Sequence, residues 1–351
     1  MNRYLKSASS VVRFLEFTAS YLSNYRITPK PWTLIWGATY RCNSKCKYCE
    51  RPQMALERKE PELTTQEVKK LADELADLGL RVFSITGGEP LLRKDFFDIG
   101  KYITSKGIRC QFVSNGSLIT LKNIQRIIDS FEAVIISLDS LDPAVHDKQR
   151  GMPGSFQRAM QAIDLLSQRQ AKFGIQTTMT RDNINEVIKL MKFTKDKGGR
   201  FLVQPVNDVD LPRVWDKNLL DFDFDRLKEQ WAQIVNDFDY RGRLSKWRNR
   251  EYLEKFPLFL EHPAEAGQTF ICYAGSHNFY IDPYGDVFLC ETLKEVYGNV
   301  RERPLKDIWR DMREARQRIS STGRRCVCWY NCTTKDYLPL TKFLRPLKSR
   351  Q

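Results

Sequence analysis

Between residues 33 and 204 the chain alternates short apolar segments with longer amphipathic ones, and this alternation limits its fold more than any other feature. The apolar segments predict β-strands at 33–38, 82–86, 110–113, 133–138, 174–180 and 201–204. The segments between them predict helices at 65–78, 95–105, 121–129, 155–169 and 185–197. Strands that alternate with helices form parallel sheets, in which ligands bind at the carboxyl ends of the strands. We therefore predict an α/β fold, a partial (β/α)6 TIM-like barrel with too few units to close an eightfold barrel.

The nine cysteines fall into two groups and one isolated residue. The first group, Cys42, Cys46 and Cys49, directly follows the first predicted strand, and the second is Cys272, Cys290, Cys326, Cys328 and Cys332. Cys110 stands alone in an apolar segment and is predicted to be a small buried residue. The first residues are not typical of a signal peptide, and no apolar run is long enough to cross a membrane. We therefore expect a cytoplasmic protein whose cysteines are reduced and bind metal.

The first cysteine group has the spacing Cys42-x3-Cys46-x2-Cys49 and is predicted to lie in a loop at the carboxyl end of the sheet. A cubane iron–sulfur cluster needs four ligands, so three thiolates leave one iron free to bind a substrate or cofactor. A structural zinc site needs a fourth protein ligand, and no histidine lies nearby in the sequence. The spacing favours a [4Fe–4S] cluster with an open iron site over zinc.

A second motif, Thr86-Gly87-Gly88-Glu89-Pro90, follows the second predicted strand, and Tyr48 precedes the last cysteine of the first group. Together with the cysteine spacing, these residues resemble the radical S-adenosylmethionine (SAM) superfamily across residues 33–206. The resemblance implies that the open iron chelates the amino and carboxylate groups of SAM, and that Gly87, Gly88 and Glu89 bind the methionine amino group. Consecutive glycines allow close approach of the backbone to a ligand, and a carboxylate accepts hydrogen bonds from an ammonium group.

The resemblance extends to polar residues at other strand ends. It implies that Ser137 and Asp139 contact the ribose or carboxylate, that Arg150 pairs with the carboxylate, and that the segment 204–206 lies near the adenine. The predicted cofactor-binding residues are thus Tyr48, Gly87, Gly88, Glu89, Pro90, Asn115, Ser137, Asp139, Arg150, Gln204 and Val206. The sequence identifies no general acid or base.

The second cysteine group begins with the pattern Cys272-x12-Gly285-x4-Cys290. Residues 282–286 predict a hairpin turn that brings Cys272 and Cys290 together. This pattern resembles the SPASM and twitch extensions of radical SAM enzymes, which hold auxiliary iron–sulfur clusters. It implies one auxiliary cluster, a [4Fe–4S] cluster, ligated by Cys272, Cys290, Cys328 and Cys332, with Cys326 as the alternative to Cys328. A zinc knuckle built from four of these thiolates is the other interpretation.

These features predict four regions. Residues 1–30 form an amphipathic extension, 31–208 the radical SAM core, 209–265 a helical linker, and 266–351 a small cysteine-rich α+β auxiliary-cluster domain with a basic tail. In the extension, the apolar residues that fall on one helical face are Leu5, Ala8, Val11, Val12, Leu15, Ala19 and Leu22. This face is predicted either to dock on the core or to lie on a lipid surface.

The 57 basic and 43 acidic residues give a net charge of +14, which favours anionic partners. No nucleic-acid-binding motif accompanies this charge. Peripheral contact with an acidic membrane is the alternative that the amphipathic start and basic tail favour.

The family resemblance implies reductive cleavage of SAM to a 5′-deoxyadenosyl radical, which takes hydrogen from an unactivated C–H bond. It also implies a low-potential electron donor of the flavodoxin or ferredoxin kind. Because SPASM-type extensions often accompany peptide or protein modification, we expect a peptide or protein substrate, with a lipid-like substrate as the alternative. A zinc-stabilised basic module that binds nucleic acid is the hypothesis of another class.

Overall fold

The computed structural model describes residues 3–206, 223–238, 243–321, 329, 340–344 and 346. Six parallel strands form the core sheet: β1 (Thr33–Thr39), β2 (Val82–Gly87), β3 (Arg109–Ser114), β4 (Ala133–Ser137), β5 (Phe173–Met179) and β6 (Arg200–Pro205). Each strand pairs in parallel with the next along the chain, as successive right-handed β/α units require. The predicted partial barrel is confirmed.

Three further strands continue the same sheet beyond β1. These are β7 (Asn278–Ile281), β8 (Asp286–Phe288) and β9 (Val296–Asn299), and the full order is β6-β5-β4-β3-β2-β1-β7-β8-β9. β7 runs parallel to β1, with Thr33 opposite Asn278, whereas β8 and β9 are antiparallel to their neighbours. The hairpin predicted around residues 282–286 is present. It lies directly against the core sheet, and the domain boundaries proposed from the sequence stay a prediction.

The helices lie between and after these strands. They are α1 (Arg3–Leu22), α2 (Arg51–Glu57), α3 (Thr65–Asp77), α4 (Phe96–Ser105), α5 (Ile124–Ser130), α6 (Pro143–Arg150), α7 (Ser155–Gln168), α8 (Val187–Asp196), α9 (Phe224–Asp237), α10 (Arg243–Glu254), α11 (Phe256–Glu261), α12 (Pro263–Gln268), α13 (Leu305–Asp311) and α14 (Arg313–Ser320). Two 3-10 turns cover Pro90–Leu92 and Ile184–Glu186. Among the described residues, no helix combines the length and apolar character needed to span a bilayer.

Side-chain alternation in the core strands separates the packed core from the barrel interior. On β2, Phe83 and Ile85 are fully buried in the core, whereas Ser84 and Thr86 point into a cavity. The same alternation on the other strands turns polar residues inward, namely Gln111, Ser137, Gln176, Thr178 and Gln204. Successive strand residues face opposite sides of a sheet, so one strand can fill the core and line a site at the same time.

Helix α1 docks on the core through aromatic residues that the predicted apolar face does not include. Phe17 and Tyr21 are buried and make edge-to-face contacts with Tyr273, at centroid distances of 5.3 and 5.6 Å. Of the predicted apolar face, Val12 is 54% and Leu15 59% exposed, whereas Leu22 packs against the core. The side chains of residues 5, 8 and 11 lie outside the described part of the chain. Docking of that face as a whole stays a prediction. Aromatic rings bury more area than valine or alanine, and they set the orientation of the helix.

Candidate active site

A cavity of about 340 Å³ opens at the carboxyl ends of the core strands. It is lined by the first cysteine group and by the inward-facing strand residues, as expected for a parallel sheet of this kind. Of the predicted cofactor-binding residues, those that line it are Tyr48, Gly87, Gly88, Asn115, Ser137, Arg150, Gln204 and Val206. Glu89, Pro90 and Asp139 are buried and do not line the cavity, although Glu89 and Asp139 contact residues that do.

The cysteine loop after β1 places Cys42, Cys46 and Cys49 in this cavity. Burial raises the pKa of the Cys42 thiol to about 11 and that of Cys46 to about 12, although the Arg150 guanidinium lowers both. Metal binding would replace the thiol protons, because only thiolates ligate iron. Three thiols in one cavity supply the number of ligands that a [4Fe–4S] cluster with an open iron site requires. Among the described residues, the side chains are not gathered into a group that could hold a metal ion without rearrangement. That these three are the ligands stays a prediction.

The cysteine loop is held against the end of α6. The backbone amides of Lys45 and Lys47 donate to the carbonyls of Arg150 and Gln149, both at 3.1 Å. Gly151 follows with φ +57°, and a β-carbon there would lie 2.2 Å from the carbonyl oxygen of Lys45. The end of α6 therefore fixes the path of the loop between Cys42 and Cys49.

Gly87 and Gly88 pass directly over the segment that leads into the cysteine loop. A β-carbon would lie 2.3 Å from the carbonyl oxygen of Thr39 at Gly87, and 2.1 Å from that of Arg41 at Gly88. Gly87 also has φ +123°, a conformation that favours glycine. The backbone amide of Gly88 donates to the carbonyl of Thr39 at 2.6 Å. Both positions therefore require glycine, and both expose backbone to the cavity where SAM is predicted to bind.

Glu89 joins the ends of β2 and β3. Its carboxylate accepts hydrogen bonds from the amide of Asn115 at 2.9 Å, from the amide of Leu91 at 3.2 Å and from the hydroxyl of Ser114 at 3.0 Å. Burial raises the pKa of Glu89 to about 7, and these hydrogen bonds oppose the rise. The carboxylate positions Asn115 at the cavity wall, and its direct contact with the methionine amino group stays a prediction.

Asp139 lies beneath the cavity, with no exposed surface, and forms an ion pair with Arg150. Its carboxylate accepts hydrogen bonds from Arg150 Nη2 at 2.9 Å, from the Thr178 amide at 2.9 Å and from the Tyr48 hydroxyl. Arg150 Nη1 lies 4.0 Å from Cys46 Sγ. Asp139 therefore holds the two cavity residues Tyr48 and Arg150 in place beside the cysteine loop.

Arg51 and Glu291 form a pair that was not predicted from the sequence, and both residues line the cavity. Arg51 is the first residue of α2, and its guanidinium donates to the Glu291 carboxylate. The guanidinium carbon lies 4.8 Å from the ring centroid of Tyr40 and 5.4 Å from that of Tyr280. Nothing in the sequence pairs residues 240 positions apart, although Arg51 follows Cys49 closely and Glu291 follows Cys290 directly.

The second cysteine group is described for two of its members. Cys272 is buried and Cys290 is half-buried. The loop after Cys272 packs on the residue before Cys290, since a β-carbon on Gly275 would lie 2.1 Å from Leu289 Cδ2. Cys326, Cys328 and Cys332 lie outside the described residues, so the choice of the remaining ligands stays a prediction. Cys110 has no exposed surface, which confirms its prediction as a small core residue.

Two family models match the chain. The radical SAM superfamily matches residues 37–194, and the SPASM iron–sulfur cluster-binding domain matches residues 272–333. In the solved structures, SuiB of Streptococcus suis bound to S-adenosylmethionine superposes with a TM-score of 0.65 and 19% identity, over 84% of this chain and 69% of SuiB. At that identity the likeness supports the fold.

Curated relatives extend over most of the chain. An AdoMet-dependent heme synthase of Methanosarcina barkeri is 28% identical over 91% of this chain and 95% of its own length. Its counterpart in Nitratidesulfovibrio vulgaris is 30% identical over 85% of this chain and 84% of its own length. The subtilosin bacteriocin biosynthesis protein AlbA of Bacillus subtilis is 27% identical over 78% of this chain and 58% of its own length. With both cysteine groups, the glycine motif and these relatives in agreement, the chain belongs to the radical SAM superfamily and carries a SPASM iron–sulfur domain.

Proposed function

We propose that this enzyme abstracts hydrogen from a tetrapyrrole whose acidic side chain binds near Arg51. The coarser activity follows from family membership: the chain is a radical SAM enzyme with an auxiliary iron–sulfur domain. When bound, the [4Fe–4S] cluster and SAM supply a 5′-deoxyadenosyl radical that can take a hydrogen atom from an unactivated C–H bond. The hypothesis of a zinc-stabilised module that binds nucleic acid is rejected, because such a module would not be an enzyme.

The observation that carries the tetrapyrrole proposal is the match to heme synthases along nearly the whole chain. The Methanosarcina barkeri protein aligns over 91% of this chain, so the alignment includes the core, the helical region and the hairpin. The sequence analysis favoured a peptide or protein instead. The similarity to heme synthases, at 28% and 30% identity, supports a tetrapyrrole as the substrate.

The cavity offers groups that suit a planar, acidic molecule. Arg51 supplies a buried cation beside the faces of Tyr40 and Tyr280, a setting in which a guanidinium and aromatic rings can hold a flat ligand. A substrate carboxylate would replace Glu291 as the partner of Arg51 and would form a charge-assisted hydrogen bond. The apolar part of the lining would limit the access of water to the reacting atoms, and it includes Ile35, Met54, Val113, Ile135 and Leu202.

We expect iron coproporphyrin to stimulate 5′-deoxyadenosine formation by the anaerobically reconstituted enzyme, and Arg51→Ala to raise the KM for it about tenfold to a hundredfold. A lost hydrogen bond to a charged group is worth about 1.5 to 3 kcal/mol, which corresponds to that range. Arg58→Ala is the matched control, because Arg58 also lies over a tyrosine ring, that of Tyr284, but outside the cavity lining. Equal KM values for the two variants, or no stimulation by the porphyrin, would contradict the proposal.

A peptide or protein substrate is the second candidate, and the similarity to AlbA, a biosynthesis protein of the bacteriocin subtilosin, favours it. The same assay distinguishes the two. Stimulation of 5′-deoxyadenosine formation by a precursor peptide, with none by the porphyrin, would establish the peptide candidate. The low-potential electron donor stays a prediction.

A peripheral membrane contact is supported by exposed apolar side chains on α1 and on the helical segment 340–344. They are Val12, Leu15 and Phe343, and Phe343 is 50% exposed. The ring of Phe14 packs against that of Phe343 at 5.0 Å, which joins the two segments. Cosedimentation with vesicles of anionic phospholipid should fall in the Val12→Ser/Leu15→Ser variant and stay unchanged in Leu121→Ser, which replaces another exposed leucine. Equal binding by all three proteins would contradict this contact and weaken the lipid-like substrate hypothesis.

A further inference from the structure

Arg316, on α14, is a buried cation without a carboxylate partner among the described residues. It has no exposed surface. Its Nε donates to the carbonyl of Gly275 and its Nη2 to the carbonyl of Trp309, while Nη1 makes no hydrogen bond to any of the described residues. The guanidinium carbon lies 4.3 Å from the ring centroid of Trp309. Burying a charge without a counter-ion is strongly unfavourable, so this arrangement calls for a negative group.

The ionisable neighbour of Arg316 does not supply that negative charge. Burial raises the pKa of Tyr25 to about 12, so its phenol is neutral at pH 7. Burial also lowers the pKa of Arg316 to about 9, which leaves the guanidinium mainly charged at pH 7. The described surroundings therefore contain a cation and neutral polar groups.

The position of Arg316 points to the second cysteine group. The carbonyl that accepts from its Nε belongs to Gly275, three residues after Cys272. Gly275 in turn packs against Leu289, which directly precedes Cys290. Arg316 thus binds the loop that follows one predicted cluster ligand, and this loop contacts the segment that carries another.

We infer that Arg316 is the counter-ion of the auxiliary iron–sulfur cluster and raises its reduction potential. A cluster held by thiolates is a net anion, and reduction adds one more negative charge. A nearby cation in a low-dielectric interior stabilises the reduced form more than the oxidised form. In the reaction, the substrate radical left by hydrogen abstraction would lose one electron and the auxiliary cluster would gain it. Arg316 makes the auxiliary cluster a better acceptor for that electron, whichever substrate the enzyme uses.

The test uses the full chain carrying Cys42→Ala/Cys46→Ala/Cys49→Ala, so that only the auxiliary cluster titrates. We expect Arg316→Gln to lower its midpoint potential in a dithionite titration followed by electron paramagnetic resonance. The ratio of reduced to oxidised cluster at a fixed potential should fall about tenfold, which corresponds to about 59 mV for a one-electron couple. Arg316→Lys should keep most of the wild-type potential. Arg313→Gln, on the exposed side of the same helix, should leave it unchanged.

A second variant covers the case in which Arg316→Gln does not retain its iron. Ser320→Asp places a carboxylate one helical turn from Arg316 and neutralises it without removing it, so it should also lower the potential. The inference would be overturned if Arg316→Gln and Ser320→Asp, or whichever of them retains its iron, showed the wild-type midpoint potential. An equal fall in Arg316→Lys and Arg316→Gln would also overturn it, because the charge would then not be the cause.

Discussion

Gly88→Ala should reduce dithionite-dependent formation of 5′-deoxyadenosine at least about a hundredfold, which corresponds to about 2.7 kcal/mol in activation free energy. A β-carbon at this position would lie 2.1 Å from the carbonyl oxygen of Arg41 and 2.8 Å from that of Tyr40. Both are backbone atoms, so the clash cannot be relieved by a side-chain rotation. The segment before Cys42 would have to move, and the amide of Glu89 would lose its 2.9 Å hydrogen bond to Arg41. The substitution therefore displaces the cysteine loop and the glycine motif together.

Gly107→Ala is the control for this prediction. Gly107 has φ +76°, and a β-carbon there would meet nothing within 4 Å. Alanine there carries a backbone cost of about 1 to 2 kcal/mol that Gly88→Ala does not carry, because Gly88 lies outside the left-handed region, but it makes no clash at the site. SAM affinity, measured by equilibrium dialysis of the reconstituted proteins, should fall in Gly88→Ala and stay at the wild-type value in Gly107→Ala. Wild-type affinity and cleavage in Gly88→Ala would show that the motif does not shape the cofactor site.

Asp139→Asn should lower the free energy of unfolding by about 3 to 5 kcal/mol, the effect expected when one member of a buried ion pair is removed. Asp139 has no exposed surface, and its carboxylate receives hydrogen bonds from Arg150, Tyr48 and the amide of Thr178. The neutral amide would leave the Arg150 guanidinium without its counter-ion beside Cys46. The uncompensated charge and the loosened Tyr48 both lie at the wall of the cavity.

Urea denaturation of the apo protein measures this effect without a contribution from the cluster. Glu132→Gln provides the comparison, because Glu132 pairs with Lys172 at 3.3 Å in an exposed position, where ion pairs contribute less than about 1 kcal/mol. Equal stabilities of Asp139→Asn and Glu132→Gln would mean that the buried pair does not stabilise the fold. A further result that would count against the account is an unchanged rate of SAM cleavage in Asp139→Asn.

The sequence predicted the core strands closely, and each strand end lies within one residue of its predicted position. The reason is that each strand buries one face under a helix. Burial of that face requires apolar residues at fixed spacing along the strand, such as Phe83 and Ile85. The first cysteine group and the glycine motif were predicted for a different reason. Few residues other than cysteine can supply a thiolate ligand, and few other than glycine allow such close backbone contact.

Helices α2 and α6 were missed because neither carries an apolar face. The buried residues of α6 are polar, namely His146, Gln149 and Arg150. On α2, the buried residue is Arg51, while Leu56 is 80% exposed. Hydrophobic periodicity cannot detect a helix whose buried side chains pair with charged and polar groups from distant parts of the chain.

The ion pairs of the site were also beyond the sequence analysis. Asp139 was predicted to contact SAM, and its role as the partner of Arg150 depends on how β4 and α6 meet. The pairing of Arg51 with Glu291 depends on β7 adding to β1 at the edge of the core sheet. Such pairings depend on the three-dimensional arrangement of the strands, and local sequence patterns cannot predict them.

We expect the two cysteine groups to hold two iron–sulfur clusters and the first of these clusters to cleave SAM. The most direct test is anaerobic reconstitution of the wild type and of Cys42→Ala/Cys46→Ala/Cys49→Ala, followed by iron and sulfide analysis and a dithionite-dependent assay for 5′-deoxyadenosine. The account predicts about eight irons in the wild type, about four in the variant, and no 5′-deoxyadenosine from the variant. Zinc in place of iron, or undiminished SAM cleavage by the variant, would contradict it.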